Sequence, residues 1–457
     1  MNGCLLRLLR ALLVPALLSS AAPALRANTL QWHSKQNQIT ADIRGGALSS
    51  VLEQIASATG WKVYVEPGAS HTVSARFKDL PQGQALHLLL GNLNFALVPS
   101  TNSVWSLFVF RTSVASATQL VSPYKQAGKR IPNELVVVLK PGANIDELAR
   151  LLGAKVIGRI GKLNAYRLQF KDEFAADAAR AKLASNPDVA LADNNYSIDA
   201  PVSPGALHPG GLPPPPQLQL KPPNDKGRII IGLIDTAVQP LGGNLDSFLL
   251  KPLSVAGPAQ LNPSTPSHGT AMAETILRSI QDMTQGNTSV QILPVDVYGA
   301  NPSTSTFEVA NGIIQAVNAG ANVLNLSLGS EADSPFLHDV IKQVSQNNIP
   351  IFAAAGNQPV TTPMYPAAYP EVMAVTALNG GQIADYANRG SFVSLGAPGT
   401  SVVYYDNQPY YAIGTSTATA LTSGIAAGFM DATHDNTQQM ENFIKSNFGL
   451  QNLPAAH

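Results

Sequence analysis

Unbroken apolar runs and helically spaced apolar positions alternate along the second half of this chain. Residues 229–234 are apolar around a single glycine, 351–355 are continuous, and 372–377 are apolar but for Thr376. Runs of this kind suit strands buried on both faces, as in a parallel sheet covered by helices. Residues 292–297 and 323–329 read as two more strands. Between the strands, apolar residues recur at helical spacing over 270–279, 307–319 and 335–347, and a small-residue helix runs from Ser416 to about Ala432. The alternation predicts a doubly wound, mainly parallel α/β domain over 227–457, with functional residues at the strand ends.

The first half is patterned differently. Over 28–112, strand-like stretches at 39–43, 61–65 and 104–110 enclose helical spacings at 47–59 and 86–90, which predicts a small α+β domain. Residues 113–128 are polar and read as a linker. Over 129–200, strands are expected at 135–139, 156–160, 165–170 and 189–192, and helices at 145–152 and 174–183. Two βαβ halves of this size predict a ferredoxin-like α+β sandwich. Residues 201–226 are proline-rich, with four consecutive prolines from Pro213 to Pro216, and read as an extended connector open to cleavage.

At 457 residues the chain exceeds one ordinary domain. Lys plus Arg is 29 and Asp plus Glu is 29, so no basic field exists to recruit nucleic acid or an anionic membrane. The N-terminus carries Arg7, Arg10, an apolar stretch at 11–18 and small residues at 19–24. This is the layout of a signal peptide over 1–27, cleaved between Ala21 and Asn28. The only cysteine, Cys4, would leave with it. The expectation is an exported protein without disulfides or a transmembrane segment, destined for periplasm, cell surface or medium.

Seven short motifs follow in order: Asp235-Thr236, His268-Gly269-Thr270, Asn325-Leu326-Ser327-Leu328-Gly329, Ala355-Gly356-Asn357, Tyr365-Pro366-Ala367-Ala368-Tyr369-Pro370, Gly396-Ala397-Pro398-Gly399 and Gly414-Thr415-Ser416. Each alone is commoner in turns and helix caps than in catalytic sites. Together they resemble the subtilisin-like serine proteases, whose triad runs Asp, His, Ser along the chain. Residues 129–200 resemble the propeptide inhibitor domain of such proteases, through Pro132-Asn133-Glu134-Leu135-Val136-Val137, Leu163-Asn164-Ala165-Tyr166-Arg167 and Asn186-Pro187-Asp188-Val189-Ala190. Residues 28–112 resemble the short N-terminal domain of secretins and TonB-dependent transducers, through Gly60-Trp61-Lys62-Val63-Tyr64-Val65 and Phe77-Lys78-Asp79-Leu80. That likeness implies a docking role toward an envelope or secretion partner.

The subtilisin resemblance implies a serine endopeptidase, made as an autoinhibited zymogen that processes its own prosegment. Ser416 at a helix N-terminus would be the nucleophile, His268 the base and Asp235 its orienting partner. The Ser416 N–H and the Asn357 amide would bind the oxyanion. The substrate pocket would have Ser327, Leu328 and Gly329 as one wall, Ala354, Ala355 and Gly356 as the other, and Met364 as a floor that shortens it. Prosegment release is expected between Tyr196 and Leu212. No metal or cofactor is needed for the step; structural calcium accompanies the family, but no acidic cluster marks a site here. Ala237, Glu274, Thr417 and Ala420 depart from the family pattern, and Glu274 is expected to face solvent rather than the site. The departures motivate an alternative, a catalytically silent protease fold serving as a binding module in an envelope assembly. Loss of the prosegment and reaction with a fluorophosphonate would separate the two.

Overall fold

The computed structural model describes residues 29–33, 38–99, 105–121, 129–206, 218–221 and 229–452. The expected signal peptide, and parts of both expected linkers, lie outside the described residues. The first unit holds β1 (Thr29–His33), β2 (Gln38–Ala47), α1 (Leu48–Thr59), β3 (Lys62–Val65), β4 (Thr72–Pro81), α2 (Gln82–Leu90), β5 (Asn94–Pro99), β6 (Trp105–Phe110) and β7 (Gln119–Val121). They form two sheets, ordered β1-β2-β4 and β5-β6-β3-β7. Leu52, Ile55, Leu86, Leu89, Leu107 and Val109 fill the core they share with the helices. α1 stops at Gly60, which takes the left-handed conformation (φ 71°).

The stretch 113–128, expected to be a linker, is in part structured. A 3-10 turn covers Val114–Ser116, and β7 pairs antiparallel with β3. Polarity misled here because an edge strand keeps one side in solvent. Ala117 and Thr118 are buried, and the Thr118 carbonyl accepts the Thr361 N–H at 2.8 Å.

The second unit comprises β8 (Arg130–Leu139), α3 (Ile145–Leu152), β9 (Lys155–Ile160), β10 (Ala165–Gln169), α4 (Glu173–Leu183) and β11 (Val189–Asp199). Its sheet is ordered β11-β8-β10-β9, the ferredoxin-like arrangement. Asn144 and Asp172 cap α3 and α4 by accepting first-turn N–H groups. Leu135, Val137 and Leu139 of β8 pack under these helices, whereas Val136 points to the opposite face and joins a different core. That second core also contains Ile313, Phe336 and Val340, so the sheet is sandwiched between its own helices and the domain that follows.

A two-residue strand, β12 (Gly205–Ala206), then precedes the third unit. This unit runs β13 (Ile230–Asp235), β14 (Leu253–Ser254), α5 (His268–Thr284), β15 (Gln291–Asp296), β16 (Ser303–Ser305), α6 (Thr306–Asn318), β17 (Val323–Leu326), α7 (Pro335–Gln346), β18 (Ile351–Ala354), β19 (Met373–Asn379), β20 (Gln382–Ile383), β21 (Leu395–Pro398), β22 (Thr400–Tyr405), β23 (Gln408–Ile413), α8 (Thr415–Thr433) and α9 (Thr437–Phe448). The main sheet is ordered β14-β15-β13-β17-β18-β19-β20, with β21 also on β19, and every pair except β19–β20 is parallel. Alternate residues of β13 serve opposite cores. Ile231 and Leu233 pack toward α5 and α8, and Ile234 packs toward α6 and α7. A strand with helices on both faces needs apolar residues at every position, which is why 229–234 is unbroken.

Candidate active site

Asp235 is the last residue of β13, at the end of the sheet where doubly wound folds bind ligands. Its carboxylate is fully buried and accepts the Thr236 N–H at 2.6 Å. It also lies 2.8 and 2.9 Å from His268 Nδ1, through one oxygen each. A ring nitrogen against a carboxylate carries the proton, so Nε2 is left as the acceptor. His268 opens α5 because Ser267 caps the helix, its Oγ accepting the Thr270 N–H at 3.0 Å. Gly269 lets this turn approach β13; a Cβ there would lie 2.2 Å from the Thr236 carbonyl.

Gln239 ties the entry to α5 together. Its Oε1 accepts from Ser267 N at 2.6 Å and from Thr270 Oγ1 at 3.0 Å. Its Nε2 lies within 3.1 Å of the Asn262 and Thr265 carbonyls and Tyr405 Oη. Nothing in the sequence marks this residue, because its partners lie further along the chain, between Asn262 and Thr270 and at Tyr405.

Ser416 is the second residue of α8, with its N–H among the free donors of the first turn. Its hydroxyl donates to the Ser327 carbonyl at 3.3 Å, and Ser327 Oγ donates in return to the Ser416 carbonyl at 3.3 Å. Both Ser416 and His268 are buried, at 7 % and 6 % exposure. α8 is locked to α5 by small residues. A Cβ on Gly424 would lie 2.0 Å from Ser279 Oγ and 2.7 Å from the Ile276 carbonyl. The two helices carrying His268 and Ser416 therefore touch backbone to side chain.

Asn357 follows β18 and is exposed. Its Oδ1 accepts the Thr415 N–H at 2.8 Å and the Thr415 hydroxyl at 3.1 Å, which fixes the amide against the residue that precedes Ser416. The Thr415 hydroxyl in turn accepts the Gly356 N–H at 3.1 Å. Thr415 is thus a second residue to which sequence reading gave no role, although it adjoins the candidate nucleophile.

The structure also brings the expected pocket walls together. Ser327, Leu328 and Gly329 follow β17, and Ala354, Ala355 and Gly356 lie at and just beyond the end of the neighbouring β18. Ser330 pairs with Tyr365 through reciprocal N–H···O bonds of 2.9 and 2.7 Å, holding half-buried Met364 beside the first wall. Among the described residues, no cluster of three or more His, Cys, Asp or Glu side chains is arranged to hold a metal ion.

Glu274 does not face solvent. It is 3 % exposed, pairs with Arg278 at 2.6 Å, and accepts the Tyr404 N–H at 2.7 Å. Burial raises its carboxyl above the usual range, against the opposing pull of Arg278 and the Tyr404 amide. Arg278 also lies over the Tyr404 ring, 5.5 Å from its centroid. The carboxylate is turned away from His268 and docks α5 on β22. Helical spacing alone could not show this, because the face of α5 that carries Glu274 is covered by a hairpin distant in sequence.

β11 continues beyond its own sheet. Ser197, Ile198 and Asp199 pair antiparallel with β16, and Ala200 N donates to the Pro302 carbonyl at 2.9 Å. Asn195 Oδ1 accepts Thr306 Oγ1 at 3.1 Å and the Phe307 N–H at 3.2 Å, capping α6. Arg167 joins Glu134 at 2.7 Å to Glu308 of α6 at 3.0 Å.

Comparison with known proteins matches residues 226–448 to the subtilase family and residues 117–195 to the fervidolysin N-terminal prodomain. A thermophilic serine proteinase of Bacillus sp. (strain AK1) is 28 % identical over 352 residues, which cover 70 % of this chain and 86 % of that protein. Subtilisin Savinase of Lederbergia lenta is 33 % identical over 186 residues, 38 % of this chain and 69 % of that protein. The crystal structure of fervidolysin from Fervidobacterium pennivorans, a keratinolytic enzyme related to subtilisin, has a similar fold. Its TM-score is 0.53 at 18 % identity, over 70 % of this chain and 56 % of that one.

Proposed function

This chain belongs to the subtilase family and is a serine protease with its own prodomain, and we propose that it is an exported endopeptidase acting through an acyl-enzyme on Ser416. The observation that carries the assignment is the buried Asp235–His268 contact at 2.8 Å, with Ser416 on the helix packed against that of His268. In the acylation step, Ser416 Oγ adds to the peptide carbonyl carbon while its proton passes to His268 Nε2. Asp235 keeps the imidazole in the required tautomer and stabilises the cation. The carbonyl oxygen becomes an oxyanion held by the Ser416 N–H and Asn357 Nδ2. Collapse breaks the C–N bond, and the amine leaves with the proton from His268. Water then repeats the sequence and frees the acid product.

Met364, at the floor between the walls 327–329 and 354–356, supports a preference for small or medium apolar residues at the cleaved position. A peptide panel cut fastest after Phe or Tyr would remove that preference from the proposal. The prodomain is the first substrate, released by a cut between Tyr196 and Leu212. Expression from Asn28 of the wild type and of Ser416→Ala, read by intact mass, tests the whole reading. Only the wild type should split in that window and react with a fluorophosphonate; two intact, unreactive chains would leave a silent binding module.

A further inference from the structure

The uncut chain crosses the candidate site in one direction. Upstream, residues 197–199 pair antiparallel with β16. Downstream, Gly205 and Ala206 pair antiparallel with Tyr411 and Tyr410 of β23, the strand that leads directly into Ser416. Between the two anchors, Val202, Ser203, Pro204 and Gly205 enclose a cavity of about 200 Å³ with His268 and Thr417. A chain threaded in this sense has its acyl side on β16 and its leaving-amine side on β23. The bond cut in processing therefore lies between Ala200 and Gly205. Bonds to the nitrogens of Pro201 and Pro204 are poor candidates, so the new N-terminus falls at Val202, Ser203 or Gly205.

The downstream strand does not leave with the prosegment. It remains covalently joined to the protease domain, which takes up the chain again at residues 218–221. There Leu220 is buried in the core, Gln219 N donates to Gln281 Oε1 at 2.6 Å, and Lys221 N donates to the Gly286 carbonyl at 3.1 Å. A two-residue strand binds weakly by itself. Because it is covalently joined to the domain it binds, its return is intramolecular, which favours occupancy of a weak site over a free peptide of the same sequence.

Resting on the protease reading above, we propose that the new N-terminal segment, through Gly205 and Ala206, stays on β23 after processing as a resident occupant of the leaving-group side. The mature enzyme then discriminates against substrates with several residues beyond the cut bond, because these must displace its own N-terminus. Substrates ending in a small leaving group need not.

The test compares two substrates with one upstream sequence: an anilide, and a quenched peptide extending four residues past the cut. Both are assayed with the self-processed wild type and with Gly205→Pro/Ala206→Pro, which deletes the strand's amide donors outside the catalytic residues. The expected result is a several-fold lower KM for the extended peptide in the variant, with the anilide kinetics unchanged. An unchanged ratio of the two substrates, with both still cleaved, overturns the resident strand and leaves the protease reading standing. If the variant fails to process, amide exchange in the processed wild type decides, read at whichever of Tyr410 and Tyr411 directs its N–H toward β12 rather than toward β22 on the other side of β23. Slow exchange supports the resident strand, and exchange at the open-chain rate overturns it. A wild type that cleaves neither substrate and ignores a fluorophosphonate overturns both readings.

Discussion

The carboxylate of Asp193, on β11, accepts the backbone N–H of Phe336 at 3.1 Å, and so caps the first turn of α7 from another part of the chain. The same carboxylate accepts Ser334 Oγ at 2.7 Å, while Asn195 two residues on caps α6. Two helix N-termini of the protease domain, each a partial positive pole, are thus met by polar side chains of one prodomain strand.

This makes docking of the prodomain dependent on pH. Burial raises the Asp193 carboxyl above its ordinary value of 3.8, outweighing the hydrogen bonds from Ser334, Phe336 and Asn194, and nearby Asp333 adds to the rise. The docked state therefore holds a proton that the separated carboxyl has already lost. Docking is tightest below the ordinary carboxylate range and weakens as pH climbs through the window above it. Retention of the cut prosegment on gel filtration should fall as pH rises above the ordinary carboxylate range. Asp193→Asn should flatten that dependence, and Asp193→Ala should weaken retention at every pH, by about 1–2 kcal/mol.

Removing the Glu274 carboxylate leaves the Tyr404 N–H and Arg278 without it in a buried contact. Glu274→Ala should cost about 2–3 kcal/mol of stability, read as a lower unfolding midpoint in denaturant. A midpoint within error of the wild type would show that the α5–β22 contact contributes little.

In the proposed mechanism Asn357 Nδ2 donates to the oxyanion. Asn357→Ala should lower kcat by about 10²–10³-fold with little change in KM, the loss known for removing such an amide in a subtilisin. Thr415→Val keeps that amide but removes one of its two tethers, and should lower kcat by about tenfold. Equal losses in the two variants would mean that the Thr415 hydroxyl matters as much as the amide.

Gln239 holds the turn that presents His268 but does not reach the reacting atoms. Gln239→Ala should lower kcat by about 10–100-fold through misplacement of the base. Gln239→Glu, which retains the acceptor for Ser267 and Thr270, should recover part of that loss. Were the effect merely structural, both variants would lose stability in step with activity.

The sequence by itself determined the layers. Unbroken apolar runs specify strands covered on both faces, and this holds for 229–234 in the parallel sheet. It holds equally for 135–139, where an antiparallel strand is continuous because the prodomain sheet is buried against α6 as well as its own helices. Motif order was enough to nominate Asp235, His268, Asn357 and Ser416, because each stands at a strand end or helix start that its neighbours specify. The tertiary structure decided what depends on partners distant in the chain. Gln239 acquires its role from two later segments, Glu274 is buried by a hairpin 130 residues further on, and the connector finds its place on β23. Local pattern records which face of an element is apolar. It does not record what covers that face, because burial and hydrogen bonding depend on groups that folding brings together from elsewhere.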